Sequence, residues 1–559
     1  MKRKELLKKL GIVFSCCILC VSPLKVMAES AETEVITEVT TEAVGEMTTE
    51  VAALSGEVTE TATGTITKLT TAIIKEEENK GAVEFFLYTP SDVKPIGPST
   101  PVLLYYGDGK MDAQSVEAKL AEAGLDVLAE AENCSVLFVN PIGESWGEKD
   151  QEAYLYGLVD LFSEDTGSET GKNADGTKII GTSQRICIVA EGSGADFTAE
   201  YLARETMKKF NIFMDFYYVP AGVMLFNTAK DSVNCEFGIA AVISKDPISK
   251  EAVQEGWDST ISKVRRQTSG LTEKTYEILP VHDYEAEGIS VSIENAEING
   301  ASMEWYEYIP ENLNLSGEGN VPLVFTFHGG GNHAQYQANA SEWPLVGKEN
   351  GFIVVAVNQH VERTANDIVE LLKVLEEKYP CIDQTRIYAS GFSMGAIKSW
   401  DLGTQYPELF AGIAPMDAVK DPEADVKNTI IPTYYLAGEE DGLLVFPHQV
   451  AFGGEGGEGN GDYILQHIFE MNEIAYPGYD ENKNAIWGME FTKTRKVATE
   501  NPNHVITENY VVSADGNTYT VLATMSNQAH AVLSGSSYAA WDFLKQFSRN
   551  TDGTISIAK

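Results

Sequence analysis

The sequence predicts an α/β protein of two tandem domains, each a mostly parallel sheet flanked by helices. Three observations carry this. Short apolar runs rich in β-branched residues alternate with stretches of helical periodicity, as expected for strands buried on both faces under covering helices. One series of such runs occurs twice, in the same order. The chain has 559 residues, 43% of them hydrophobic, which is enough for two sizeable cores.

Residues 1–28 read as a signal peptide. Lys2, Arg3, Lys4, Lys8 and Lys9 give a positive start, Leu10 to Val21 are apolar, and Val26-Met27-Ala28 offers a small-residue cleavage site. The apolar run is short for a bilayer span. Cys16, Cys17 and Cys20 lie in it without a convincing lipobox, so simple export is preferred, with a retained N-terminal anchor as the alternative. Residues 29–65 are rich in Glu, Thr, Ala and Val and hold no Lys, Arg, aromatic residue or Pro. That composition resists a packed core and predicts a disordered acidic spacer, or a tether to a cell surface. A formal net charge of −42 predicts repulsion from nucleic acid and anionic membrane. The expected location is extracellular, free or cell-surface associated, with no stable membrane insertion once the signal is removed. The remaining cysteines, Cys134, Cys187, Cys235 and Cys381, show neither paired spacing nor a metal pattern and read as buried thiols.

The repeated series defines domains at 66–275 and 280–559. Glu84-Phe85-Phe86-Leu87-Tyr88-Thr89-Pro90 and Pro101 to Gly109 in the first match Glu304-Trp305-Tyr306-Glu307-Tyr308-Ile309-Pro310 and Pro322 to Gly330 in the second. Each copy continues with an apolar run ending in Val-Asn, Val136 to Asn140 and Phe352 to Asn358. Each then has an Arg-Ile strand before a glycine-rich turn, Arg185 to Val189 and Arg386 to Ser390. Between strands, Ile368, Leu371, Leu372 and Leu375 recur at helical spacing behind a Thr364-x-x-Asp367 capping signal. Ala540, Phe543, Leu544 and Phe547 predict a last helix.

The chemistry-bearing residues lie in the second domain. Gly391-Phe392-Ser393-Met394-Gly395 follows a strand and precedes a helix-compatible stretch closed by Pro407. A serine lifted on a strained turn between strand and helix needs small neighbours, because the two backbones approach closely there. Ser393 is therefore the expected nucleophile. His328-Gly329-Gly330-Gly331 follows the strand Leu323–Phe327, and its glycines allow backbone N–H groups to approach an oxyanion. Gly330 and Met394 are the expected donors. For a base, His530 lies after the last strand-like run and before the final helix. His448 comes too soon after the acid, and His467 and His504 fall in apparently inserted sequence. For the acid, the strand Ile431–Ala437 ends in Gly438-Glu439-Glu440-Asp441-Gly442, and Asp441 is chosen over Glu440 and over Asp417 on the preceding strand's end. The chain order Ser, acid, His is the one this arrangement requires. The stretch from Asp441 to His530 is long, and its segment around 450–520, with glycine-rich acidic residues Gly453 to Asp462 and the aromatics Tyr476, Tyr479 and Trp487, is expected to form an inserted cap over the pocket, with a floppy surface insertion as the alternative.

With these residues in view, the second domain resembles the secreted polyhydroxybutyrate depolymerase and feruloyl-esterase-like branch of the α/β-hydrolases. The resemblance rests on Arg386-Ile387-Tyr388 leading to Gly391 through Ala396, on Tyr406 through Pro415, and on His530 shortly before Trp541-Asp542-Phe543-Leu544. It covers about half the chain. It implies two tandem α/β-hydrolase-like domains and hydrolysis of an ester through an acyl-enzyme, with no metal and no cofactor. The substrate is then a feruloyl or acetyl polysaccharide ester, a hydroxyalkanoate polyester or a small ester.

The first domain reads as a degenerate copy. Aligned on the Arg-Ile strand, Gly192 stands at the place of Ser393, and Ser193 falls opposite Met394. The oxyanion loop becomes Gly107-Asp108-Gly109-Lys110, whose carboxylate opposes an oxyanion. Residues 66–275 contain no histidine; all eight begin at His282. Two other function classes remain, a secreted serine peptidase of the prolyl-oligopeptidase type and a non-catalytic binding protein.

Overall fold

The computed structural model describes residues 57–558 apart from 76–78, 93–99, 154–179, 182–184, 204–205, 210–214, 219, 236–238, 267–277, 281, 331, 421–426, 444, 448–462 and 477. The expected signal peptide, most of the expected spacer and the segment Gly453 to Asp462 lie outside the described residues. The spacer's expected end at residue 65 moves: Val58–Glu60 is already a strand, paired antiparallel with the next one through Val58 and Thr67.

In chain order the strands of the first region are β1 (Val58–Glu60), β2 (Gly64–Lys75), β3 (Asn79–Pro90), β4 (Val102–Tyr106), β5 (Val136–Val139), β6 (Ile186–Glu191), β7 (Thr206–Lys209), β8 (Asp215–Tyr218), β9 (Gly222–Phe226), β10 (Ala240–Ile243), β11 (Val264–Arg266) and β12 (Ile278–Pro280). Those of the second are β13 (Ile289–Ile298), β14 (Ala301–Pro310), β15 (Val321–Phe327), β16 (Ile353–Val357), β17 (Ile382–Phe392), β18 (Gly412–Met416), β19 (Thr433–Gly438), β20 (Lys493–Ala498), β21 (Val505–Val511), β22 (Thr520–Met525), β23 (Phe547–Arg549) and β24 (Ile555–Ile557).

The second region's main sheet runs β13-β14-β16-β15-β17-β18-β19-β22-β21-β20. Its centre, β16 through β22, is parallel, and antiparallel hairpins form both edges. Successive residues of the central strands face opposite cores, as the pleat requires. Leu323, Phe325 and Phe327 join one core with Ile368, Leu371 and Trp400, while Val324 joins the other with Trp343, Phe352 and Trp541. Helices therefore cover both faces, which is the α/β-hydrolase arrangement.

The first region's main sheet runs β1-β2-β3-β5-β4-β6-β9-β10. From β2 onward its order repeats that of β13 to β19 strand for strand, including the exchange of the third and fourth places. It stops where the second sheet continues into β22, so the described residues of the first region hold no counterpart of that strand. Each hydrophobic core cluster draws on one region alone, residues 66–261 or 284–557.

Two local expectations change. The last helix is Ser536–Leu544; Phe547 opens β23, which pairs with β24, and its carbonyl accepts the Tyr388 hydroxyl at 2.7 Å. The insertion before β22 is, in its described part, body rather than cap. Ile464, Leu465, Ile468, Phe469, Trp487 and Met489 are buried in the core beneath the sheet, and β20 and β21 extend the sheet itself. Apolar residues spaced for burial had no signal separating a lid from a core wall. Cys134, Cys187 and Cys381 are buried free thiols, and burial pushes the Cys187 thiol up to about 11.

Candidate active site

Ser393 sits between β17 and the helix Met394–Gln405, with φ 54° and ψ −115°. A positive φ is strained for a residue carrying a Cβ. The flanking glycines show why the turn is so tight. A Cβ on Gly391 would lie 2.3 Å from the Gly395 carbonyl oxygen, and one on Gly395 would lie 2.0 Å from that of Phe327. The Ser393 N–H donates to the Met416 carbonyl at 2.9 Å, which ties the turn to the end of β18.

Three side chains far apart in sequence meet there. Ser393 Oγ is 2.9 Å from His530 Nε2, and His530 Nδ1 is 2.8 Å from Asp441 Oδ2. Asp441 is 3% and His530 8% exposed. The other Asp441 oxygen accepts the Leu443 N–H at 2.8 Å, which fixes the carboxylate plane. With its Nδ1 proton held by Asp441, the imidazole presents a lone pair at Nε2 to the serine hydroxyl. The arrangement can remove a proton from Ser393 and return it to a leaving group.

The alternatives fall elsewhere. His467 lies in the helix Tyr463–Met471 and His504 precedes β21; burial lowers the pKa of both. His448 lies outside the described residues. Glu440 is exposed. Asp417, fully buried, turns its two carboxyl oxygens to the Gly438 N–H at 2.6 Å and to Gln528 Nε2 at 2.8 Å.

The glycine loop packs against the same turn. A Cβ on Gly329 would meet the Phe392 ring at 2.8 Å, and one on Gly330 the Met394 sulfur at 2.9 Å. Met394 opens its helix, where free N–H groups and the helix dipole favour negative charge. Gly331 lies outside the described residues. His328, a residue sequence reasoning noted only as part of the loop, sits between two carbonyls, its Nδ1 2.7 Å from that of Gly329 and its Nε2 2.7 Å from that of Asn358, and a neutral ring donates to one of them. Burial lowers the pKa of this imidazole. Gln528 escaped the sequence altogether, because its partner Asp417 is 111 residues away and a lone glutamine in a loop carries no pattern.

The first region keeps the turn without the chemistry. Gly192 occupies it at φ 57°. The Ser193 N–H, in the place of the Met394 N–H, donates to Asp108 Oδ1 at 2.7 Å. The carboxylate expected to oppose an oxyanion sits on the donor an oxyanion would use.

No family model matches the chain. Among curated proteins it is 23% identical over 269 residues to the bifunctional acetylxylan esterase/xylanase XynS20E of Neocallimastix patriciarum, covering 46% of this chain and 35% of that protein. It is 27% identical over 143 residues to poly(3-hydroxyalkanoate) depolymerase C of Paucimonas lemoignei, covering 22% and 33%. To feruloyl esterase B of Thermothelomyces thermophilus it is 26% identical over 129 residues, covering 20% and 43%. The chain thus spans less than half the length of each of these relatives. They fall in the esterase and depolymerase group that the sequence resembles. Among solved structures, an acetyl xylan esterase from Aspergillus awamori aligns over 45% of this chain and 99% of its own, at 15% identity and a TM-score of 0.32.

Proposed function

We propose that residues 280–559 form the catalytic domain of a secreted serine carboxylesterase, and that residues 66–275 form a degenerate copy without catalytic activity. The observation that carries this is the unbroken series Ser393 Oγ, His530, Asp441, at 2.9 and 2.8 Å. His530 takes the Ser393 proton as Oγ attacks the ester carbonyl carbon. The N–H groups of Met394 and Gly330 receive the oxyanion that forms. Collapse of the tetrahedral intermediate expels the alcohol, protonated by His530, and leaves an acyl group on Ser393. Water, deprotonated by the same imidazole, then releases the acid.

The 269-residue match to a protein named a bifunctional acetylxylan esterase/xylanase, with that to a feruloyl esterase, favours acetyl or feruloyl esters on plant polysaccharide over hydroxyalkanoate polyesters. Export rests on the expected signal at 1–28. Among the described residues, no helix is long and apolar enough to cross a membrane.

The test is a panel of p-nitrophenyl acetate, methyl ferulate, acetylated xylan, a hydroxybutyrate oligomer and a peptide anilide, assayed with wild type and Ser393→Ala. Esters are expected to turn over, the anilide is not, and Ser393→Ala is expected to lose at least about 10³-fold in kcat. Full ester turnover by the alanine variant, together with no labelling of the wild type by a fluorophosphonate, would sink the proposal.

A further inference from the structure

We infer that Gln528 is a positioning residue, whose buried carboxamide ties the loop of His530 to the strand ends that hold Ser393 and Asp441. This rests on the serine-esterase proposal and adds a component to it.

The loop that carries His530 leaves β22 through Asn527, at φ 54°, whose Nδ2 donates to the Asn503 carbonyl at 2.7 Å. Gln528 then turns inward and is fully buried, as is Asp417 just past β18. Its Nε2 donates to Asp417 Oδ2 at 2.8 Å and to the Ala531 carbonyl. The Ala531 bond closes the loop around His530, and the Asp417 bond fastens the closed loop to the end of β18. Asp417 is itself fixed. Its N–H donates to Leu436 O at 2.9 Å and its Oδ1 accepts the Gly438 N–H at 2.6 Å, so it bridges the ends of β18 and β19. The Gln528 main-chain carbonyl accepts the Glu440 N–H at 2.8 Å. The loop lies directly on the end of β19: a Cβ on Gly438 would come within 2.4 Å of the Gln528 carbonyl oxygen and 2.7 Å of that of Ala529. All three members of the series are reached in this way. His530 adjoins Ala531, Asp441 adjoins Glu440, and the Ser393 N–H is bonded to Met416, which adjoins Asp417.

A carboxamide nitrogen carries two hydrogens, and here each has an acceptor. The position faces a carboxyl oxygen and a backbone carbonyl, so the nitrogen and not the oxygen belongs there. Among the described residues Oε1 has no partner. A buried polar atom left unpaired costs stability, so an apolar side chain of the same length would fill this space at less cost. What glutamine adds is the pair of donors. Their effect falls on His530, because a catalytic group displaced by about 1 Å loses on the order of 10²-fold in rate. The imidazole must meet Ser393 and Asp441 together, and it stands on a loop, where no strand partner sets its height.

The experiment compares Gln528→Met and Gln528→Ala with wild type in the full chain, at a temperature where each is folded. It reads kcat and KM on p-nitrophenyl acetate and the rate at which a fluorophosphonate labels Ser393. Methionine keeps the length of the side chain and donates nothing; alanine removes the side chain as well. Both variants are expected to lose about 10- to 100-fold in kcat with KM nearly constant, and to be labelled more slowly in proportion. A side chain that served by packing alone would be replaced by methionine without loss. Three results overturn the inference: wild-type kcat in the folded Gln528→Met, wild-type kcat in the folded Gln528→Ala, or a rise in KM with kcat unchanged. If neither variant folds, hydrogen exchange of the wild type decides. Segment 437–441, whose Gly438 and Glu440 amides donate to Asp417 and Gln528, is expected to exchange as slowly as β19, and exchange at the rate of an open loop refutes the tie. Persistence of activity in Ser393→Ala refutes the esterase proposal instead, so the two failures are distinct.

Discussion

His530 is bonded at both ring nitrogens, and only one protonation state serves both bonds productively. With the proton on Nδ1 toward Asp441, Nε2 is free to accept from Ser393; a doubly protonated ring has nothing to accept with. His530→Ala is expected to lose at least about 10³-fold in kcat on p-nitrophenyl acetate, and an active variant would remove His530 as the base. Asp441→Asn leaves the shape of the site nearly unchanged but offers an amide N–H to Nδ1, which favours the wrong tautomer. The expected loss in kcat is about 10³–10⁴-fold with a nearly constant KM. At this scale the sequence was most informative, because Ser393, Asp441 and His530 each stand at an element junction that a strand-and-turn pattern marks. Chain order could not show that Asp417, the rejected acid, lies beside the chosen one, since its partners Gly438 and Gln528 are brought to it only by the lateral order of the strands.

Secondary-structure elements reach the site through anchors some distance from it. The helix Ala365–Lys378 begins in a complete capping box between Thr364 and Asp367 and buries Ile368, Leu371, Leu372 and Leu375. At its far end Lys378 and Tyr379 converge on Glu307 of β14, a fully buried carboxylate that accepts from Lys378 Nζ at 2.9 Å and from the Tyr379 hydroxyl at 2.6 Å. Glu307→Ala leaves the Tyr379 hydroxyl and Trp305 Nε1 without the carboxylate they donate to, while Lys378 keeps Glu294 at 2.9 Å, and is expected to destabilise the fold by about 1–3 kcal/mol, measurable by urea denaturation. His282 joins the segment before β13 to the start of the helix Trp343–Asn350, with ring nitrogens 3.1 and 3.0 Å from Glu287 and Glu342. Burial opposes its charge, but the two carboxylates prevail and its pKa is raised. A base whose folded pKa is raised adds stability that is fully present below about pH 6.5, its unfolded value, and is lost as pH rises through the folded one. His282→Ala is therefore expected to lower stability by about 1–2 kcal/mol at pH 6 and by less at pH 9. A loss independent of pH would show that the ring serves by packing alone. Helix starts and buried stripes of this kind are written locally and were legible in the sequence. Phe547 was not, because leaving the helix depends on a strand partner, β24, and on the Tyr388 hydroxyl, which lies 159 residues away. The role of residues 463–500 was equally hidden, since an apolar segment looks the same in sequence whether it covers a mouth or fills a core.

At the scale of the whole molecule, the two regions share one strand order and separate cores. A fragment of residues 280–559 is accordingly expected to fold and to hydrolyse p-nitrophenyl acetate with a kcat within a few fold of the full chain; loss of activity in a folded fragment would assign the first region a part in catalysis. The doubling was visible in the sequence because four short motifs kept their order. That the described residues of the first region hold no counterpart of β22 was foreshadowed only by the absence of histidine, the residue its following loop would carry. The two turns then allow a comparison within one protein. Gly192 and Ser393 hold nearly the same backbone angle, φ 57° and 54°, so the left-handed bend comes with the topology and not with the reaction. Glycine adopts it freely, whereas serine is held there against its preference, at about 1 kcal/mol. On the esterase proposal, the first region carries at this turn the residue the bend prefers, while the second keeps a strained serine for its hydroxyl. Ser393→Gly should then melt at a higher temperature than Ser393→Ala, both being inactive, and equal melting points in calorimetry would mean that the bend is no burden to an alanine.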